Sequence, residues 1–173
     1  MKIIKSFLGL SALLLIVITL SCNKQETFTD VNEMVSAVSN EVEFISAEEL
    51  KAKIDSGDIF NLIDVREAKE YYHGYIPGAI NIPRGVLEFN IGKEDFWMNE
   101  GLYLPLKDEE FILICKKGGR STLAAKSIKE LGYDNVKVVT GGWKKWELTY
   151  PDIYEKDLDA LGGHEEEEEV GGC

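Results

Sequence analysis

Apolar residues along this chain fall into three kinds of run, and their order predicts most of the architecture. The first is a single stretch, residues 7–20 (FLGLSALLLIVITL), that carries no charge. The second kind is short and continuous: "FI" at 44–45, "IFNLIDV" at 59–65, "GAINIP" stopped by Pro83, "FILI" at 111–114 and "NVKVVTGG". Such runs, bounded by Gly, Pro or Asn, read as strands buried on both faces. The third kind has helical spacing. Val31, Met34, Val35 and Val38 lie on one face, and Leu50 and Ile54 follow the capping box Ser46-Ala-Glu-Glu49 with Gly57 as the stop. "REAKEYYHG" is a turn or two closed by Gly74, and 121–131 places Ala124, Ile128 and Leu131 together before Gly132. "WKKWELTYPDIY" starts as a helix and breaks at Pro151, while 85–105 reads as one helix plus a long loop. Short strands alternating with helices predict an α/β fold, an open parallel sheet with helices on both faces. No internal repeat is visible.

The length of 173 residues suits one compact domain, and the net charge of −12 argues against a nucleic-acid partner, because phosphates would be repelled. The organisation expected is a leader at 1–21, a tether or short helix at 22–42, the folded domain at 43–155 and an acidic, disordered tail at 156–173. As a helix, residues 7–20 would extend about 21 Å, short of a roughly 30 Å hydrocarbon core, so a cleaved signal peptide fits better than a membrane span. The segment Thr19-Leu-Ser21-Cys22-Asn-Lys24 resembles the lipobox of bacterial lipoproteins, with threonine where leucine is usual. That resemblance implies an acylated Cys22 at the new amino terminus, anchorage to a bacterial membrane, and a domain in the cell envelope outside the cytoplasm.

Three cysteines, Cys22, Cys115 and Cys173, lie too far apart to suggest a disulfide framework. Cys115 is different from the others in its surroundings. It ends a buried strand and is followed by Lys116, Lys117, Gly118, Gly119, Arg120 and Ser121, a strand-to-helix turn of the kind that forms a ligand crevice in open α/β sheets. The glycines let successive N–H groups converge, and the helix start and three cations add positive potential. A sulfur anion is favoured there, and an anionic substrate is drawn to it.

Cys115-Lys-Lys-Gly-Gly-Arg120-Ser121 resembles the active-site loop of the rhodanese family, a cysteine, two variable residues, glycine, one variable residue, arginine and serine or threonine. Asp64-Val-Arg66 resembles the family's D-x-R sequence. His73-Gly-Tyr-Ile-Pro-Gly-Ala-Ile-Asn-Ile-Pro83 resembles its H-I-P-G-A-x-N-I-P segment, with two residues inserted, and Gly141-Gly-Trp143-Lys-Lys-Trp146 resembles its G-G-x-x-x-W. The resemblance implies a sulfurtransferase in which the Cys115 thiolate takes sulfur from a thiosulfate- or persulfide-type donor and passes it to cyanide, a thiol or a partner protein thiol. Lys116 stands where many members have arginine, and a point charge replaces a planar fork. Asp64, Arg66, His73 and Trp143 are expected in supporting, mainly structural roles, with Trp143 and Trp146 in the core. No cofactor or metal is implied, since the other histidine, His164, falls in the tail. The protein is expected to be a monomer, and Cys173 is assigned no function.

Two other readings stay open. One is a tethered sulfur or redox carrier with little turnover alone. The other is an arsenate reductase or phosphatase of the same fold, whose cysteine-to-arginine loop is one residue longer than the four residues found here between Cys115 and Arg120.

Overall fold

A computed structural model describes residues 27–161. The leader, the lipobox with Cys22, and the glutamate run with His164 and Cys173 lie outside the described residues. Within them, five strands form one parallel sheet: β1 (Glu43–Ile45), β2 (Asn61–Asp64), β3 (Ile80–Asn81), β4 (Phe111–Ile114) and β5 (Val136–Val139), in the order β1-β5-β4-β2-β3. β4 is central because it is apolar throughout: all four of its side chains are fully buried. It pairs with β2 from Asn61↔Phe111 to Asp64↔Ile114 and with β5 from Phe111↔Val136.

Alternation along the strands divides the core into two halves. Ile63, Phe111, Leu113, Val136 and Val138 face one layer of helices: α1 (Val31–Ser39), α4 (Leu87–Asn90), α5 (Glu94–Asn99) and α6 (Gly119–Glu130). Ile45, Leu62, Ile112, Ile114 and Val139 face the other: α2 (Ala47–Ser56), α3 (Ala68–Tyr72) and α7 (Gly142–Thr149). The predicted doubly covered parallel sheet is therefore the observed one. Local signals explain several boundaries. Ser46 and Glu49 make the reciprocal capping box at the start of α2, and Gly57 ends it at φ 72°.

Some boundaries differ from expectation. Ile59 is not in a strand and is 86% exposed; β2 starts at Asn61, where pairing with the β4 side begins through Asn61 N–H donating to the Glu110 carbonyl. The stretch 85–105 holds two short helices rather than one, separated at Gly92, with Trp97 buried and its indole N–H donating to the Ile91 carbonyl at 2.8 Å. α6 begins at Gly119, two residues before Ser121, and Leu131 lies outside it as an exposed C-terminal cap. The helical spacing before the domain is a real helix: Asp30 caps α1, which packs against α6 with Val38 buried. The chain beyond Pro151 also stays on the body, through an antiparallel bridge between Tyr75 and Glu155, with both N–H···O distances 2.9 Å.

Candidate active site

Cys115 follows directly on the central strand, so its backbone is fixed by the sheet and its side chain is 2% exposed. The chain reverses at Gly118, whose φ of 106° is closed to side-chain-bearing residues without strain, and enters α6 at Gly119. This turn aims the Gly118 N–H at the Cys115 Sγ, 3.2 Å away, with the Ser121 Oγ at 3.4 Å. The Ser121 hydroxyl also lies 2.8 Å from the Gly118 carbonyl. One hydroxyl proton serves one acceptor at a time. The Thr122 Oγ1 donates to the same carbonyl at 3.0 Å, so Ser121 can turn to an anionic sulfur without leaving that carbonyl bare.

A second turn clamps the first. The Trp143 N–H donates to the Cys115 carbonyl at 2.8 Å, and the Lys144 N–H to the Lys116 carbonyl at 3.1 Å. Contact this close requires Gly142: a Cβ there would stand 2.2 Å from the Cys115 carbonyl oxygen. The clamp brings together two lysine pairs, Lys116-Lys117 and Lys144-Lys145, all exposed. Among the described residues none of the four forms an ion pair.

Arg120 is held by a carboxylate across the loop. Its two terminal nitrogens donate to Glu70 of α3 at 2.6 and 2.9 Å, tying the start of α6 to the opposite layer. Arg120 holds the Glu70 carboxyl below the ordinary carboxylate range, chiefly through these hydrogen bonds. Nothing local marks Glu70 as a partner, because the pair spans 50 positions and only the fold aligns it.

Asp64 and Arg66 form a second, fully buried pair. The Arg66 guanidinium donates to both Asp64 carboxylate oxygens and to the Gly74 carbonyl at 2.8 Å, and it stacks 4.7 Å from the Trp143 ring centroid. Burial pushes the Asp64 carboxyl above its ordinary range, with Arg66 opposing. These residues position the Trp143 turn, and so indirectly the cysteine loop. His73 is exposed, its Nδ1 2.6 Å from the Lys69 carbonyl.

An open cleft of about 670 Å³ runs beside the loop, lined by Arg66, Glu67, Lys69, Glu70, His73, Lys116, Trp143, Lys144 and Glu147. Trp143 is thus both a core residue and a wall of the cleft. Cys115, 2% exposed, is not among its lining residues, and the cleft meets the loop at the next residue, Lys116. On the loop's other side a smaller hollow of about 430 Å³ separates Lys117, Gly119 and Arg120 from Val31 and Val35 of α1. Lys116 and Lys117 therefore serve opposite sides of the loop.

These contacts give two expected results. Arg120→Lys lowers kcat/KM for sulfur transfer about tenfold or more, because a lysine cannot reproduce the two-pronged bond to Glu70, whereas Lys116→Ala costs less. Steady-state kinetics of both variants decide the order. The second concerns acid. A carboxyl whose folded pKa is depressed stabilises above its unfolded value near 4.3 and loses that contribution as pH falls through the folded value. Glu70 is about a third exposed, so the contribution is about 0.5–1 kcal/mol. Urea melts of Glu70→Gln should show a deficit of that size at pH 7 that closes toward pH 3.

The rhodanese-like domain model matches residues 46–149. The "Putative sulfur carrier protein YrkF" of Bacillus subtilis is 36% identical over 102 residues, covering 59% of this chain and 49% of that one, so the chain spans about half its length. Among solved structures, a protein of unknown function from Rhodopseudomonas palustris, described as a possible tyrosine phosphatase, has a TM-score of 0.60 at 27% identity, with 73% of this chain and 96% of that one covered. The human single-domain sulfurtransferase TSTD1 has a TM-score of 0.56 at 30% identity, with 61% and 95% covered. The family model takes in the cysteine loop, the Asp64–Arg66 pair and the Trp143 clamp alike, and the chain belongs to the rhodanese-like domain family.

Proposed function

We propose that the domain is a sulfurtransferase working through a persulfide on Cys115. One observation carries this reading: a buried sulfur at the end of the central strand that accepts from the Gly118 N–H, with the Ser121 hydroxyl in reach, at the start of α6. The Cys115 thiolate attacks the outer sulfur of the donor. With thiosulfate, the donor's S–S bond breaks, sulfite leaves with the electron pair, and Cys115 carries S–S⁻. An acceptor nucleophile then takes the outer sulfur, and the pair of the broken bond returns to Sγ. The loop N–H groups and helix start stabilise the sulfur anion before and after each step. Wild-type protein gains about 32 Da, one sulfur, on treatment with thiosulfate or a small persulfide and loses it to cyanide. Intact mass measurement tests this, and no adduct with either donor overturns it.

Arg120 favours this reading over phosphatase or arsenate reductase chemistry. A tetrahedral oxyanion over the cysteine calls for an arginine fork in the loop, and here that fork is occupied by Glu70. Sulfur carriage with little turnover is the second reading. The depth of the Cys115 sulfur favours it, since a bulky acceptor reaches only an outer sulfur extended about 2 Å further along an S–S bond.

The membrane anchor belongs to this proposal too. Cys22 is acylated and begins the mature chain, which holds the domain at the cell envelope; the charge-free run at 7–20 ending near Ser21-Cys22 is the support. Among the described residues no helix is long and apolar enough to cross a membrane. Mass spectrometry of the membrane fraction should find an acylated amino-terminal Cys22 peptide. An unmodified peptide reading through positions 15–25 refutes it.

A further inference from the structure

The cysteine loop separates two depressions of unlike character. The cleft on the Lys116 side carries both signs of charge, with Lys69, Lys116 and Lys144 beside Glu67 and Glu147 in its lining. The hollow of about 430 Å³ on the Lys117 side has no carboxylate in its lining. Val31 and Val35 of α1 and Leu123 of α6 give it an apolar wall. Its two cations differ: Arg120 is engaged by Glu70, whereas Lys117 forms no ion pair among the described residues. α1 is anchored by the buried Val38 and touches the loop, since a Cβ on Gly119 would stand 3.6 Å from the Val35 Cγ2. Val31, one turn away, stays 62% exposed. A single exposed valine is ordinary, but this one rims a hollow of small-molecule size that also holds a cation. α1 lies before the residues that the family model matches, 46–149, so this wall is built from outside the shared part of the domain.

We propose that this hollow is the acceptor subsite and takes an organic thiol with an aliphatic stem and a terminal carboxylate, while the small anionic donor uses the Lys116 side. The proposal rests on the sulfur-transfer reading above and assigns its two half-reactions to opposite sides of the loop. The stem lies on Val31, Val35 and Leu123, which removes apolar surface of both ligand and protein from water. The carboxylate meets Lys117. Acidic groups at the start of α1 do not compete for it: Asp30 accepts from the Asn32 and Glu33 N–H groups, and Glu33 from Thr29. The cleft suits such a thiol poorly. Glu67 and Glu147 repel its carboxylate, and Trp143, 8% exposed, offers the stem little surface. A thiosulfate-type dianion has no stem to bury and gains from charge alone, and the three lysines of the cleft outnumber those two glutamates.

The step needs no added oxidant. The acceptor thiol gives its proton to solvent, and its thiolate attacks the outer sulfur of Cys115–S–S⁻. A new S–S bond forms, the Cys115 Sγ–S bond breaks, and its electron pair returns to Sγ, where the Gly118 N–H donates. The product is an organic persulfide. Because Cys115 is 2% exposed, attack is confined to the outer sulfur, and the rest of the acceptor must lie along a flank of the loop.

The test loads the full-length chain with thiosulfate in detergent micelles, removes the donor, and adds ω-mercaptocarboxylates of increasing length, or 6-mercaptohexanol, in excess. Alkylation quenches samples at intervals, and peptide mapping follows the sulfur on Cys115. Each rate is divided by that of the same thiol with glutathione persulfide in solution, which removes intrinsic reactivity. Wild type should transfer about two- to fourfold faster for each added methylene, the increment of a buried CH₂. It should prefer 6-mercaptohexanoate to 6-mercaptohexanol about threefold, as for a surface ion pair. Val31→Asp should flatten the length series; an acid in the first turn suits the helix dipole, so this variant folds. Micelles take up the longer thiols equally for both proteins, so partition cancels in the comparison. Lys117→Ala should abolish the carboxylate preference and slow transfer more than loading, and Lys116→Ala should slow loading more than transfer. A wild-type series without length dependence, or one that survives Val31→Asp, overturns the subsite and leaves the sulfur-transfer reading standing. Lys117→Ala slowing loading more than transfer overturns the assignment of sides. No sulfur on Cys115 from thiosulfate or glutathione persulfide overturns the sulfur-transfer reading itself.

Discussion

Cys115→Ser is expected to carry no cyanide-labile sulfur and to lose turnover on the order of 10⁴-fold or more, as when a covalent nucleophile is removed. A serine hydroxyl is not appreciably ionised near neutral pH and cannot take up sulfane sulfur. The substitution preserves shape: an Oγ at the Sγ position still accepts from the Gly118 N–H and still meets the Ser121 hydroxyl. Folding stability should therefore change by about 1 kcal/mol or less, which separates lost chemistry from lost structure. Intact mass with and without donor, beside a thermal melt, checks both halves. A persistent cyanide-labile adduct in folded Cys115→Ser would refute the nucleophile assignment.

Gly142→Ala should be the most damaging single methyl in the domain. The new Cβ would lie 2.2 Å from the Cys115 carbonyl oxygen and 3.0 Å from both the Lys116 carbonyl carbon and the Lys117 nitrogen. All three are backbone atoms anchored to the central strand, so none gives way cheaply. The φ of 59° adds about 1–2 kcal/mol for any L side chain. Separating the two turns also breaks the Trp143-to-Cys115 and Lys144-to-Lys116 bonds. The combined cost is about 3–5 kcal/mol, a large share of a typical domain's stability. Gly78→Ala is the control: its φ is 79°, nothing lies within 4 Å of a new Cβ, and about 1 kcal/mol is expected. Denaturant melts of the two variants should differ accordingly, and a Gly142→Ala protein as stable as Gly78→Ala would remove the clamp from the account.

What could be read from the sequence was whatever lies close together along it. β4 is four apolar residues in a row, the α2 capping box is four residues long, and the cysteine loop declares itself by two glycines and three cations between a strand and a helix. What could not be read joins distant segments. Glu70 meets Arg120 across 50 positions, and the two lysine pairs converge only because Gly142 lets one turn rest on another. Trp97 shows the same limit at the scale of an element. Its two short helices are each too brief for a periodic signal, yet they enclose a fully buried indole. Adjacency groups Lys117 with Lys116, but strand-to-helix geometry sends them to opposite sides of the loop.

The position of β1 sets the order in which the protein can assemble. Its Glu43 pairs with Lys137 of β5, and α1 just before it rests on α6. Both partners lie late in the sequence, so α1 and β1 find their places only once nearly the whole domain is present. Closing a loop of that length costs about 4 kcal/mol of chain entropy before any contact offsets it. Strands β2, β3 and β4, joined over shorter distances, can pair beforehand, leaving the edge strand as the final step. Until that step the β5 edge stands open, and an early chain stopped short of Val136 has no sheet for its amino-terminal strand to join.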